Sequence, residues 1–262
     1  MSVRVVQLGK FYPPYMGGIE THLEALCGQL RDRFDLQVIA CNSAPGTSSE
    51  VRDGIPVTRL STPLRINNAP VSPGLARAIR RAKPDLVHLH LPHPGGILGL
   101  LGSGYRGPLV LTHHSDVVRQ RLLPAVFKPF LDTVMRRAGA IIATSPNYLA
   151  TSAVLDRYRA KTRTITYGLD KSIYPPAEQA RIDKWRAQVG AKFFLFVGVL
   201  RYYKGLHILL DAVAGRGYPV VIVGAGPIER DLKAHAARLG LRNVLFVGAL
   251  GDADKVALLT LC

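Results

Sequence analysis

An α/β fold built as two tandem parallel-sheet units is the class the sequence predicts, on three observations. Short β-rich runs alternate with stretches of helical period along the chain, the pattern of strands joined by crossover helices. Two of these runs, 109–112 and 140–144, are almost wholly apolar, as strands covered on both faces are. The alternation breaks near 168–177, where Tyr174-Pro175-Pro176 fits neither period and reads as a connector, and then restarts. The expected domains are residues 1–172 and 173–262.

In the first unit, strands are expected at 3–8, 36–40, 86–90, 109–112, 140–144 and 164–167. Ile19, Leu23, Leu26, Leu30 and Phe34 recur at helical spacing after the first strand, and 75–82 is a helix with a basic outer face. The second unit reads strand 193–199, helix 205–214, strand 220–223, helix 227–239, strand 244–247 and helix 252–261. A sheet of three strands is small for such a domain, and the last helix has no cap at Leu261-Cys262. The second domain is therefore expected to be incomplete.

A 48% hydrophobic content excludes disordered and fibrous classes, and no run reaches the ~18 apolar residues of a spanning helix. Met1-Ser2-Val3-Arg4 leads straight into a strand without a signal-peptide pattern. Cys27, Cys41 and Cys262 are few, odd in number and widely spaced, which fits a reducing compartment and neither a disulfide framework nor a zinc site. The expected localisation is cytoplasmic. The formal net charge of +16 implies an anionic partner: nucleic acid, a phosphorylated small molecule or an anionic membrane face.

Five segments carry candidate chemistry. Gly17-Gly18 precedes the first helix, where backbone N–H groups and the helix dipole favour an anion; a plain Gly-rich turn is the competing reading. Thr112-His113-His114-Ser115-Asp116 lies past a buried strand, where open parallel sheets place ligands. Its imidazoles can serve as hydrogen-bonding groups, acid/base groups or metal ligands, although no second ligand pair of matching spacing accompanies them. His88, His90 and His93 follow another strand, at a period that equally suits its alternating faces. Arg201 and Lys204, at the turn opening the second unit, offer a forked donor and a compact ammonium suited to a diphosphate. Gly224-Ala225-Gly226-Pro227 is part of a dinucleotide fingerprint without its third glycine, and reads mainly as a tight turn with Pro227 opening a helix. The basic stretch 117–137, with Arg119, Arg121, Lys128, Arg136 and Arg137, is either a membrane-surface segment or a core-facing helix with a cationic outer side. Pro124 and Pro129 are expected to break it.

In order along the chain, these segments resemble the family-4 glycosyltransferases, retaining enzymes of the GT-B fold with two Rossmann-like domains facing a cleft. The resemblance rests on Phe11-Tyr12-Pro13-Pro14 with Gly17-Gly18-Ile19-Glu20, on 112–116, on 142–148, on Tyr167-Gly168-Leu169-Asp170, on 198–205 and on 224–227. It implies transfer of a sugar from a nucleotide-sugar donor to an acceptor hydroxyl with retention, without a cofactor or obligatory metal, in cell-surface polysaccharide or glycolipid synthesis. Catalytic roles are implied for His114, Arg201 and Lys204. Gly17, Gly18, Arg201, Lys204, Leu250 and Lys255 are implied to bind the donor, and Tyr15, Glu20 and Asp116 a glycan or lipid-linked acceptor. A peripheral contact with the inner membrane face follows from similar enzymes. The family's Glu-x₇-Glu segment does not occur in these residues, so weak or absent transfer is expected if they are the whole protein. Two other classes remain beside this one. A nicotinamide-dependent oxidoreductase is disfavoured because 244–246 carries no ribose-binding acid where one is needed. A basic nucleic-acid-binding or scaffold protein is disfavoured because the aromatics fall in apolar runs and at turns.

Overall fold

The computed structural model describes residues 2–15, 17–66, 69–116, 123–168, 174–190 and 192–262, with the side chains of 123–126 left aside. The chain divides into two compact units, Met1–Gly168 and Leu169–Cys262. The first is built on an eight-stranded sheet of order β10-β9-β8-β7-β1-β2-β4-β3. Its central strands are β1 (Arg4–Leu8), β2 (Asp35–Cys41), β7 (Leu86–Leu91), β8 (Leu109–His113) and β9 (Ala140–Ala143), all parallel to their neighbours. Leu8, Ile39, Leu89, Leu111 and Ile141 are completely buried at the centre of this sheet, as strands covered on both faces must be.

Crossover helices α1 (Gly18–Leu30), α2 (Leu75–Ala82), α3 (Pro94–Gly102) and α4 (Leu123–Arg137) supply the cover. In α1, Leu23 and Cys27 recur at helical spacing and are fully buried against β1 and β2. The α4 helix runs through Pro129, against the expected break. Position 124 falls in the first turn, whose N–H groups have no intrahelical acceptor in any helix. Position 129 costs one internal hydrogen bond, which is offset by the packing of Phe127, Leu131, Val134 and Met135 on the core. Within the described part of the basic stretch, the core-facing reading therefore holds; 117–122, with Arg119 and Arg121, lie outside the described residues.

Further elements complete this unit. The edge is closed by an antiparallel hairpin of β3 (Ser48–Arg52) and β4 (Ile55–Leu60), and a second hairpin joins β5 (Leu64–Ile66) to β6 (Ala69–Val71). Two short helices, α5 (Pro146–Thr151) and α6 (Ala153–Asp156), are each capped by a serine hydroxyl, Ser145 and Ser152. The last strand, β10 (Thr162–Thr164), starts before the expected 164–167 and ends at Thr164, so Tyr167 lies beyond the sheet.

In the second unit, β11 (Phe194–Val197), β12 (Val220–Val223) and β13 (Val244–Gly248) form a parallel sheet of order β11-β12-β13. It is covered by α7 (Gln179–Val189), α8 (Leu206–Val213), α9 (Glu229–Arg238) and α10 (Asp252–Leu261). The helix after Gly226 begins at Glu229, so Pro227 precedes it rather than opening it. No described helix is long and apolar enough to cross a membrane.

Candidate functional site

The C-terminal ends of the central strands in the first unit carry a row of polar side chains. Gln7 on β1, His88 and His90 on β7, and His114 just past β8 come together there because parallel strands bring their ends to one edge. His90 Nε2 lies 3.0 Å from Gln7 Oε1, and His90 Nδ1 lies 3.0 Å from His114 Nε2. The Tyr167 hydroxyl reaches His114 Nδ1 at 2.5 Å. His88 bonds Thr112 Oγ1 at 2.7 Å. From α1, His22 closes the cluster, its ring 4.5 Å from Tyr167 and 5.5 Å from His114.

Burial decides the charge of this cluster. Removal from water disfavours the imidazolium, pushing His114 down to about 3, His88 to about 4 and His90 well below its ordinary range, with neighbouring imidazoles adding to the effect. The cluster is neutral at pH 7. Both nitrogens of His90 and of His114 are taken up in hydrogen bonds, and no group of three or more His, Cys, Asp or Glu among the described residues is arranged to hold a metal ion.

Gly17 caps α1, and Glu20, buried at the third helical position, folds its carboxylate back over it so that a Cβ on Gly17 would collide with Glu20. The carboxylate there complements the positive end of the helix. Gly18 is exposed, and outside its chain neighbours no described atom lies within 4 Å of where a Cβ on it would stand. Tyr15 stacks on Phe11 with ring centroids 4.2 Å apart.

Asp116 belongs to a different place. It lines a cavity of about 240 Å³ with His93, His113, Ser115, Lys128 and Arg157. His93 is fully buried, pushed down to about 3 by burial, and neither of its nitrogens has a hydrogen-bond partner among the described residues; Asp116 Oδ1 has no hydrogen-bond partner among them either, but lies 4.0 Å from His113 Nε2. His113, on the opposite side of the strand end from His114, bonds the Tyr148 hydroxyl at 2.6 Å. An apolar groove of about 550 Å³ adjoins, sharing Ala69, Pro94 and Phe127 with the cavity. Of the three expected acceptor-binding residues, Asp116 lines the cavity, whereas Tyr15 and Glu20 line neither space.

In the second unit, Arg201 and Lys204 bracket a single short 3-10 turn (Tyr202–Lys204) before α8, tied by a backbone bond of 3.0 Å from Lys204 N–H to Arg201 C=O. Both side chains are exposed, and neither forms an ion pair among the described residues. Gly224 and Gly226 support this turn from behind. A Cβ on Gly224 would strike the Gly198 carbonyl and one on Gly226 the Leu200 backbone, while Gly198 N–H and Leu200 N–H donate to Val223 and Ala225 at 3.0 Å. These glycines serve close backbone packing. Leu250 packs on the unit's core, and Lys255 pairs with Asp252 at 2.5 Å across the first turn of α10.

Two profiles of known families account for the chain. Glycosyltransferase Family 4 matches residues 16–172, and Glycosyl transferases group 1 matches 178–262. The chain belongs to glycosyltransferase family 4. Among relatives, the D-rhamnosyltransferase WbpZ of Pseudomonas aeruginosa is 45% identical over 258 residues, covering 96% of this chain and 68% of that protein. The O-antigen chain mannosyltransferase C of Escherichia coli is 36% identical over 264 residues, covering 99% and 71%. Among solved structures, Anabaena HepE in complex with UDP and glucose superposes with a TM-score of 0.72 at 22% identity, over 97% of this chain and 71% of that one. Sucrose-phosphate synthase from Thermosynechococcus elongatus gives 0.75 at 18%, over 98% and 73%. At such identities the structural likeness speaks to the fold, and this family-4 chain has the α/β parallel-sheet units of GT-B glycosyltransferases.

Gln7, His22 and the place of Tyr167 are not marked by any motif in the sequence. Gln7 did leave a signal: an amide inside the apolar run Val5-Val6-Gln7-Leu8 must find a partner once buried.

Proposed function

We propose that this glycosyltransferase moves a hexose or deoxyhexose from a nucleotide sugar to a hydroxyl of a glycan or lipid-linked acceptor, in cell-surface polysaccharide synthesis. The observation that carries the reading is the 45% identity to a D-rhamnosyltransferase along nearly the whole chain. The identity to an O-antigen mannosyltransferase supports the same donor class. Retention at the anomeric carbon follows the family resemblance of the motifs.

The site residues have the chemistry this reaction needs. Departure of a nucleoside diphosphate leaves growing negative charge, and fixed donors aimed at it are usually the largest catalytic term. In the second unit Arg201 and Lys204, exposed and without an ion pair among the described residues, suit that charge; in the first unit, the first turn of α1 at Gly18 offers backbone N–H groups to an anion. We assign them the role that a divalent ion would otherwise take. His114, neutral, is assigned to a hydroxyl of the donor sugar. The 240 Å³ cavity, where neither His93 nitrogen nor Asp116 Oδ1 has a hydrogen-bond partner among the described residues, suits hydroxyl groups of the acceptor, since a neutral imidazole offers both a donor and an acceptor and the carboxylate a second acceptor. Leu250 and Lys255 are assigned to the nucleotide end of the donor.

The test is turnover of GDP-mannose, GDP-rhamnose, UDP-glucose and related donors with and without EDTA, with the anomeric configuration of the product read by NMR. Transfer with retention, undiminished by EDTA, is the expected result. Absolute dependence on added magnesium or an inverted product would overturn the corresponding part, and failure to bind any nucleotide sugar would overturn the whole.

A further inference from the structure

Each nitrogen of the His90 and His114 rings has a partner, and those partners decide where the protons sit. A neutral imidazole carries one N–H and one lone pair. Gln7 Oε1 can only accept, so at 3.0 Å it requires a proton on His90 Nε2. His90 Nδ1 is then a lone pair, and the 3.0 Å bond to His114 requires the proton on His114 Nε2. His114 Nδ1 is left to accept, and it accepts from the Tyr167 hydroxyl. The chain of bonds runs one way, from Tyr167 through His114 and His90 to Gln7.

The inner and outer ends of this chain differ in exposure. Gln7 and His90 are 1% and 2% exposed, whereas Tyr167 is 46% exposed. The inner bonds have no water to exchange with, and the outer one faces solvent. Turning the Gln7 amide over would present a donor to His90 and reverse every link, so Gln7 is the deciding residue. We propose that Gln7 and His90 are positioning residues that keep the His114 proton on Nε2, so that the outward nitrogen, Nδ1, is fixed as an acceptor for a hydroxyl, a place filled here by Tyr167. The inference deepens the proposed function by giving His114 a direction. It rests on that reading only for the source of the hydroxyl, a sugar. His114 then accepts a hydrogen bond from the substrate and does not donate one.

The experiment is ¹⁵N NMR of the full chain labelled at histidine, at pH 8, with the His114 signals assigned by their loss in His114→Gln. The expected result is a proton attached to His114 Nε2 with coupling across the hydrogen bond to His90 Nδ1; a proton attached to His90 Nδ1 overturns the proposal. Gln7→Glu supplies an acceptor only and keeps this arrangement, so a shift of the proton to His90 Nδ1 in that variant also overturns it. Gln7→Lys supplies a donor and moves the proton to His90 Nδ1; an unmoved proton in folded Gln7→Lys overturns the role of Gln7, and where that variant does not fold, wild type and Gln7→Glu decide. Tyr167→Phe leaves His114 Nδ1 unprotonated, whereas protonation there shows that Tyr167, not Gln7, sets the tautomer and overturns the proposal. A wild-type tautomer as expected, with no nucleotide sugar bound or turned over, supports the relay and removes only the glycosyltransferase reading.

Discussion

At the residue scale, the strongest demands fall on side chains that are short of options. Gly17 adopts extended backbone open to any residue, yet Glu20 occupies the space a side chain would take. Gly17→Ala is expected to displace that carboxylate, the far end of a flexible side chain, and to destabilise the first unit by no more than about 1 kcal/mol, read by denaturant unfolding; a loss of about 3 kcal/mol or more would refute the account. Arg201→Ala is expected to lower turnover by ~10²–10³ with the fold intact by circular dichroism. Arg201→Lys should recover part of the charge but not the forked geometry, so a fully active Arg201→Lys would remove the bidentate role.

Elements were legible in the sequence to the extent that their burial made them periodic. The strands β1, β2, β7, β8, β9 and β12 are largely buried, and their mostly apolar runs alone place them within a residue or two. The β3–β4 hairpin escaped because its outer strand, Ser48–Arg52, is largely exposed and has no apolar pattern. Its turn was nonetheless written in Asp53-Gly54, both at positive φ, the pairing that a two-residue hairpin prefers. The helix α3 escaped because its four glycines masked an apolar face at Ile97 and Leu100. The imidazole cluster was legible only in part. His114 announced itself by following an apolar strand, but its partners lie on β7, α1 and beyond β10, with Gln7 on β1 behind them, and no local spacing links them. At this scale Leu111→Ala, in the fully buried β8, is expected to cost about 2–5 kcal/mol, seen as a fall in Tm; a change below about 1 kcal/mol would mean the sheet relaxes around the gap.

For the whole molecule, acid is the condition to examine. His88, His93 and His114 are held neutral with values of about 4, about 3 and about 3, below the ordinary 6.5. Below that ordinary value the unfolded chain takes up protons that the folded one refuses, so stability is full above about pH 7 and falls as the pH is lowered toward 4. Each such group contributes about 1.4 kcal/mol per pH unit within that window. Unfolding midpoints measured from pH 7.5 to 5 should decline steadily, and a flat profile would contradict the neutral cluster. The net charge of +16 predicts a second global property. Exposed Ile66 and Leu98 border the apolar groove, with Arg65 beside them. Co-sedimentation with anionic vesicles that weakens as salt rises is expected; indifference to lipid charge would exclude a peripheral electrostatic contact.

The backbone clasp between the turn at Gly224-Ala225-Gly226 and the segment 198–200 has a consequence for mutational tolerance. In a saturation scan, positions 224 and 226 should register as islands where nothing but glycine survives. Neither needs to meet a nucleotide to earn that record, since each merely keeps a neighbouring loop from being pushed aside. Intolerance at this turn would therefore mark the brace behind Arg201 and Lys204, and would be a poor guide to the shape of whatever those two cations hold.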